Sequence, residues 1–443
     1  NRLGAVDGSL KFVDVVKGKT YSIKDGKLPF FMHRERGLHL DEPGLTVDGN
    51  PVPAALLGTA LTLFHAGRAQ IERGQGVYFY LPKMEVLDEA TLYRDIFDES
   101  VSYLGLPDTA VIRAIPLIES LPAAYLMEDL LYELGPYAAG LNAARWDFKA
   151  SMFEYYLNDP NSVWPDRFGV DIKTTEFLAN IFRRLVAICT KRGAVPIGGM
   201  ATALPGKDSN VNEAAANSIR SDKVWEAAQG FVRGWVAHIF HMATAASPFK
   251  EVHGSDWSPS QEMIDPDNYP IQIGVPEGLI TVAGTRRNAR MLIEYIEGWL
   301  DGRGAKGIDS MEGQPGIHGP LMEDLATGRM SVAQIAQRII HSVEGTDTGQ
   351  RHDFDLLKAI LDEELTDILR RREDRSGHLD ESTTERYNKA VKIAFHWIEN
   401  YTQFNFRSLG SYTRADLNHI ANQTEELLGG SSLEPTNEQL VPS

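Results

Sequence analysis

The chain has 443 residues, too many for one small core, and its 43% apolar and 24% charged content is usual for a soluble globular protein. A formal net charge of −17 argues against nucleic-acid binding, which needs a basic face, and no run of 18 apolar residues suggests a membrane span. The single cysteine, Cys189, excludes an intrachain disulfide and fits a reducing compartment, with the cytoplasm as the expected location.

Residues 1–27 carry Gly and Lys around the short alternating runs LKFVDVV and KTYSI, the pattern of a hairpin or small flap. From residue 28, seven apolar runs follow: PFFMH, GVYFYLP, VIRAIPLIE, AAGLNAA, AVPIGGMA, GWVAHIF and, more weakly, GAKGIDS. Helical stretches such as ATLYRDIFDESVSYLG and TTEFLANIFRRLVAICTKRG separate them, each ending in the glycine common at helix C-termini. Strand–helix alternation implies a parallel sheet, and this many strands favours a (β/α)₈ barrel over an open, doubly wound sheet. The count is one short, and the opening at Asn1 rather than Met suggests that the missing strand lies upstream.

The pattern then turns all-helical, in SVAQIAQRIIHSV, DLLKAILDEELTDILRRRED, TERYNKAVKIAFHWIENYT and ADLNHIANQTEELLG. The expected organisation is a hairpin or flap at 1–27, a barrel at 28–318, a helical domain at 319–430 and a disordered polar tail at 431–443.

Four charged residues end apolar runs. Glu119 closes VIRAIPLIES and Asp147 closes AAGLNAARWDF, 28 positions later, about one strand–helix–strand unit. Neighbouring parallel strands would set the two carboxylates side by side at the C-terminal rim, where barrel active sites lie. A pair of carboxylates with open positions suits Mg²⁺, the expected cofactor. Arg34, after FFMH, reads either as a surface arginine paired with Glu35 or Asp41, or as a guanidinium at the barrel mouth. Asp324 in LMEDLATGRMS reads by itself as helix N-terminal charge.

Other signals lead nowhere. GMATALPGKDS fails as a phosphate loop, since Asp208 stands where Ser or Thr is needed. His238 and His241 fall in an apparent strand, where a spacing of three puts them on opposite faces. Cys189 lies in an apolar helical pattern and reads as packing.

At these residues the chain resembles the malate synthases, specifically the shorter A-type. The shared stretches include RERGLHL, VDGNPVPAALL, VYFYLPKME, LIESLPAAYLMEDLLYEL, AGLNAARWDF, GGMA, GWVAH, VPEGLITVAG and LMEDLATGRMS, in one order from about residue 28 to 370. The resemblance implies a TIM barrel with a C-terminal helical plug. It also implies condensation of acetyl-CoA with glyoxylate and hydrolysis of the product to malate and CoA. Glu119 and Asp147 match the Mg²⁺ ligands, Arg34 the catalytic arginine and Asp324 the general base. The loop Ala144, Arg145, Trp146 matches the one whose backbone N–H groups hold glyoxylate. Nucleic acid and membrane are not expected partners, and a homo-oligomer is left open.

The chain also departs from the family. GFVRG stands where Gly-His-Asp-Gly is usual, Ile239-Phe240 where Pro-Gly follows the histidine, and Ala144 where the loop has glycine. The eighth-strand region RGAKGIDSMEGQPGIHGP is long and glycine-rich, and the first strand with its Glu-Asp pair is missing. These changes keep two alternatives in view: a malate synthase-like enzyme for another 2-oxo acid or acyl-CoA, and a non-catalytic CoA-ester-binding relative.

Overall fold

Six of the seven apolar runs pair as one parallel sheet. The computed structural model describes residues 1–15, 18–23, 31–254, 257–308 and 321–428; the expected disordered tail and most of the eighth-strand region lie outside them. A short helix α1 (Arg2–Asp7) precedes an antiparallel hairpin of β1 (Lys11–Asp14) and β2 (Lys19–Ser22). Next come β3 (Met32–Arg34) and a second hairpin, β4 (Asp41–Val47) with β5 (Asn50–Pro53). α2 (Ala54–Leu61), a π-helical turn at Thr62–Gly67 and α3 (Arg68–Glu72) follow.

From there strands and helices alternate. They are β6 (Val77–Leu81), α4 (Leu87–Leu104), β7 (Ile112–Ile118), α5 (Leu121–Tyr125), α6 (Met127–Leu134), β8 (Gly140–Ala143), α7 (Arg145–Tyr155), α8 (Glu176–Arg192), β9 (Val195–Ala201), α9 (Ser209–Ala228), β10 (Arg233–Val236) and α10 (Met242–His253). Local chemistry fixes several ends. The Glu89 carboxylate accepts the Val86 N–H at 3.2 Å to start α4, and Gly105 (φ 58°) ends it. Gly193 (φ 67°) ends α8 just after Lys191 and Arg192, cations that suit a helix C-terminus.

The parallel sheet runs β10-β9-β8-β7-β6-β3, so its strands lie in chain order apart from the hairpin inserted between β3 and β6. Its curvature can be read from one contact. β6 and β10 are four steps apart, about 19 Å in a flat sheet, yet the rings of Tyr80 and Trp235 meet edge to face at 4.6 Å. The Trp235 indole N–H also donates to the Tyr80 hydroxyl at 3.1 Å. The sheet therefore curls like a barrel wall around Tyr80, Ile115, Leu117 and Ile197. β7 is buried on both faces over most of its length, as a barrel strand between core and outer helices must be.

The remaining elements are α11 (Val282–Leu300), β11 (Ala305–Ile308), β12 (Leu321–Asp324), α12 (Leu325–Ile340), α13 (Phe354–Ser376), α14 (Glu381–Thr402) and α15 (Arg414–Leu428). The weak run GAKGIDS thus gives a strand, β11, but outside the parallel sheet.

The chain divides into two compact units, Asn1–Gly278 with Gly307–Met330, and Leu279–Lys306 with Ser331–Ser443. This differs from a boundary at 318. α11 groups with α13 and α14, while residues 321–324, expected to open the helical domain, group with the barrel. Hydrogen bonding explains the second difference: the Met322 N–H donates to the Thr202 carbonyl at 2.8 Å, and Leu321 bridges Ala203 in antiparallel fashion. Within the helical unit, the Lys306 ammonium is buried 2.6 Å from Glu297 and 2.9 Å from the Tyr387 hydroxyl, beside Glu294.

Candidate active site

Parallel pairing of β7 with β8 brings Glu119 and Asp147 together. Leu117 is level with Asn142 and Ile118 with Ala143, so the residues that follow leave the sheet at the same rim. Glu119 comes directly after β7. Asp147 does not close its strand as the sequence suggested: β8 stops at Ala143, and Asp147 lies in the first turn of α7. Ala144 is the residue before that helix, with φ −91° and ψ 76°, a conformation open to alanine, so the departure from glycine carries no backbone strain here.

Both carboxylates are buried, at 1% and 8% exposure, and two negative charges so placed need a cation. Lys83 supplies it. Its ammonium is 2.6 Å from Asp147 Oδ1 and 3.4 Å from Glu119 Oε1, and its backbone N–H donates to the same Glu119 oxygen at 2.6 Å. Burial, with repulsion from Asp147, pushes the Glu119 carboxyl well above the ordinary range. Burial acts on Asp147 in the same sense, but Lys83 and Arg329 outweigh it and hold that group below its ordinary value. Glu119 Oε2 is buried without a hydrogen-bond partner among the described residues.

Arg329, on α12, locks the helix that carries Asp147. It donates through Nε to Glu154 Oε1 at 2.6 Å and through a second nitrogen to Glu154 Oε2, and it lies 3.6 Å from Asp147 Oδ1. Asp147 and Glu154 are seven residues apart on α7, two turns along one face.

Asp324 is the last residue of β12, and so reaches this group from within the barrel unit rather than from the helical one. Its Oδ1 accepts the Ala326 N–H at 3.0 Å, and its own N–H donates to the Thr327 hydroxyl at 3.1 Å. Burial and the negative charge of Asp147 raise its pKa, while Arg34 opposes the rise. Arg34 ends β3 with its side chain exposed, and its charge acts on both Glu119 and Asp324. Of the alternative surface partners, Glu35 is held by Arg2, while the neighbouring Arg36 meets Glu42 at 2.8 Å.

Beside this group lies a cavity of about 280 Å³, lined by Arg145, Trp146, Lys149, Arg167, Met200 and Glu323 among others. Trp146 and Glu323 immediately precede Asp147 and Asp324 in the chain. Arg145 donates to the Met200 carbonyl at 3.2 Å, and Lys149 packs over the Trp146 ring at 5.3 Å.

The histidine pair needs a correction. β10 stops at Val236, and His238 caps a short 3₁₀ turn, accepting the Phe240 N–H at 3.1 Å, while His241 ends that turn. The two are therefore not on opposite faces of one strand. Cys189 is buried in α8, and burial pushes its thiol up to about 12.

The family models described as "Malate synthase, TIM barrel domain" and "Malate synthase, C-terminal" match residues 30–267 and 279–414. The chain belongs to the malate synthase family. The chain is 36% identical to a malate synthase of Streptomyces clavuligerus over 413 residues, covering 91% of this chain and 73% of that protein. A malate synthase of Myxococcus xanthus (strain DK1622) is 35% identical over 93% of this chain and 73% of its own length. For malate synthase A of Escherichia coli (strain K12) the figures are 35%, 82% and 66%. Malate synthases form carbon–carbon bonds in the glyoxylate cycle, so the enzymatic reading of the sequence holds. Among the described residues no helix is long and apolar enough to cross a membrane.

Two site residues escaped the sequence reading. Lys83 sits in VYFYLPKME, where Pro-Lys-Met-Glu reads as a polar turn. Its signal was its place two residues beyond β6, the strand next to the one that delivers Glu119. Arg329 in LATGRMS reads as an ordinary helical cation, and nothing in the sequence set it apart.

Proposed function

We propose that this chain condenses acetyl-CoA with glyoxylate and hydrolyses the resulting malyl thioester to malate and CoA. One observation carries the reading: Asp324 is buried with its pKa raised in part by the charge of Asp147, one of the buried carboxylate pair, while Arg34 acts electrostatically on Asp324 and Glu119.

The pair fits a divalent cation. Among the described residues no three or more Asp, Glu, His or Cys side chains gather as a metal cage. Mg²⁺ needs none, since it is commonly held by one or two carboxylates and completed by water and substrate oxygens. The unpartnered Glu119 Oε2 and the ammonium seated against both acids mark the place for positive charge. Glu119 and Asp147 would hold Mg²⁺, which when bound polarises the glyoxylate carbonyl.

The chain's own groups do the rest. Asp324 takes a proton from the thioester methyl, a very weak carbon acid; a raised pKa brings a base nearer to that task. Arg34 offers its guanidinium to the oxygen on which enolate charge develops. The methyl carbon then bonds to the glyoxylate aldehyde carbon, and the new alkoxide takes up a proton. Water finally cleaves the thioester, releasing CoA. The glyoxylate carboxylate is met by first-turn N–H groups of α7 at Arg145 and Trp146, which lack acceptors within the helix. Arg145 and Arg167 add positive charge to the neighbouring cavity.

The test is release of the CoA thiol from acetyl-CoA with glyoxylate and Mg²⁺, with malate identified by mass. The proposal expects both products and their loss on chelation. Turnover of pyruvate or propionyl-CoA in preference would favour the changed-specificity reading, to which the exposed Ile239 and Phe240 after β10 lend weight. No metal-dependent heat on adding glyoxylate would favour a non-catalytic CoA-ester binder.

A further inference from the structure

Lys83 has two properties that a surface lysine does not need. Its backbone is left-handed, with φ 59°, a conformation that residues with a Cβ rarely adopt. That geometry aims both its amide and its ammonium at the carboxylate pair. The amide meets Glu119 Oε1 at 2.6 Å, while Nζ meets Asp147 Oδ1 at 2.6 Å and Glu119 Oε1 at 3.4 Å. The neighbouring loop is packed against it, since a Cβ at Gly37 would lie 3.3 Å from Lys83 Cβ and 2.5 Å from His39 Nδ1.

We infer that the Lys83 ammonium is a built-in counter-cation for Glu119 and Asp147, which a divalent ion must displace, so that Lys83 sets the metal concentration at which the site loads. The inference rests on the reading that these two acids hold the metal. A divalent ion taking the same two oxygens, Glu119 Oε1 and Asp147 Oδ1, would compete with the ammonium for them, and like charges that close repel. The lysine stem is flexible and its side chain 22% exposed, so the ammonium has a way out. The amide stays in place and keeps Glu119 aimed while the charges exchange. Until metal arrives, the lysine offsets the mutual repulsion that would otherwise push two buried carboxylates apart.

The experiment compares Mn²⁺ binding to the wild-type chain and to Lys83→Met, without substrate, by the paramagnetic resonance signal of free Mn²⁺. Methionine keeps the stem, the backbone conformation and the amide but removes the charge. The dissociation constant should fall at least tenfold in Lys83→Met; an unchanged or weaker affinity overturns the inference. Should the variant fail to fold, the wild type serves, with Lys83 acylation by an amine reagent followed by mass spectrometry. Saturating Mn²⁺ should speed that labelling at least threefold, and an equal or slower rate would again overturn it. Wild-type chain that binds no Mn²⁺ sinks the metal reading itself. Wild-type binding matched by Lys83→Met removes only the role given to the lysine.

Discussion

Replacing Arg329 with methionine strips the buried acids on α7 of a shared cation. The guanidinium contacts both oxygens of Glu154 and lies 3.6 Å from Asp147, with the three side chains at 17%, 10% and 11% exposure. At such burial the pair cannot be treated as a surface salt bridge worth less than about 1 kcal/mol. Breaking a buried pair by removing one partner costs about 3–5 kcal/mol, because the remaining charge is left uncompensated. Arg329→Met should therefore lose stability of that order in urea denaturation followed by tryptophan fluorescence. Adding Glu154→Gln should return a good part of it, since the carboxylate that met the guanidinium is then neutral. Asp147 should also become easier to protonate, because Arg329 helps hold its pKa down. A single-variant loss below about 0.5 kcal/mol, the size of a surface effect, with no recovery in the double variant, would refute the clamp.

Gly140→Ala places a Cβ 2.0 Å from the Val195 carbonyl of the adjoining strand, an overlap with backbone that no rotamer relieves, so folded yield should fall sharply. A destabilisation at or beyond about 1–3 kcal/mol is expected, and an unchanged urea midpoint would contradict the strand packing. Lys149 is buried, and burial with Arg145 and Arg167 pulls its ammonium down to about 7. The unfolded chain then binds more protons between that pH and the ordinary lysine range of about 10, so the folding penalty is full below about pH 7 and fades as pH rises. Wild-type stability relative to Lys149→Met should increase by on the order of 2 kcal/mol from pH 7 to 9.5; parallel pH curves for the two proteins would disprove it.

Much of this architecture was legible because buried parallel strands write themselves as unbroken apolar runs. VYFYL, IRAIPLI and VPIGGMA each give a strand of the sheet, and the 28-residue interval from Glu119 to Asp147 does correspond to adjacent strands. Boundaries were harder. AAGLNAARWDF shows no capping signal between strand and helix, so Asp147 read as a strand end although it belongs to α7. LMED merges into the helical pattern of LATGRMS, which hid the strand ending at Asp324. That strand exists because Thr202 and Ala203 pair with it, a partner about 120 residues away. Lys83 was invisible for another reason: its role depends on a left-handed backbone, which nothing about a lysine announces.

The decisive measurement is deuterium uptake into the methyl group of acetyl-CoA in D₂O with Mg²⁺, comparing the wild type with Asp324→Asn by NMR. General-base catalysis is worth about 10²–10⁴ in rate, so exchange should fall at least a hundredfold while calorimetric affinity for glyoxylate stays within about threefold. Exchange at close to the wild-type rate in Asp324→Asn would contradict the assignment of the base and the reading of the site built on it.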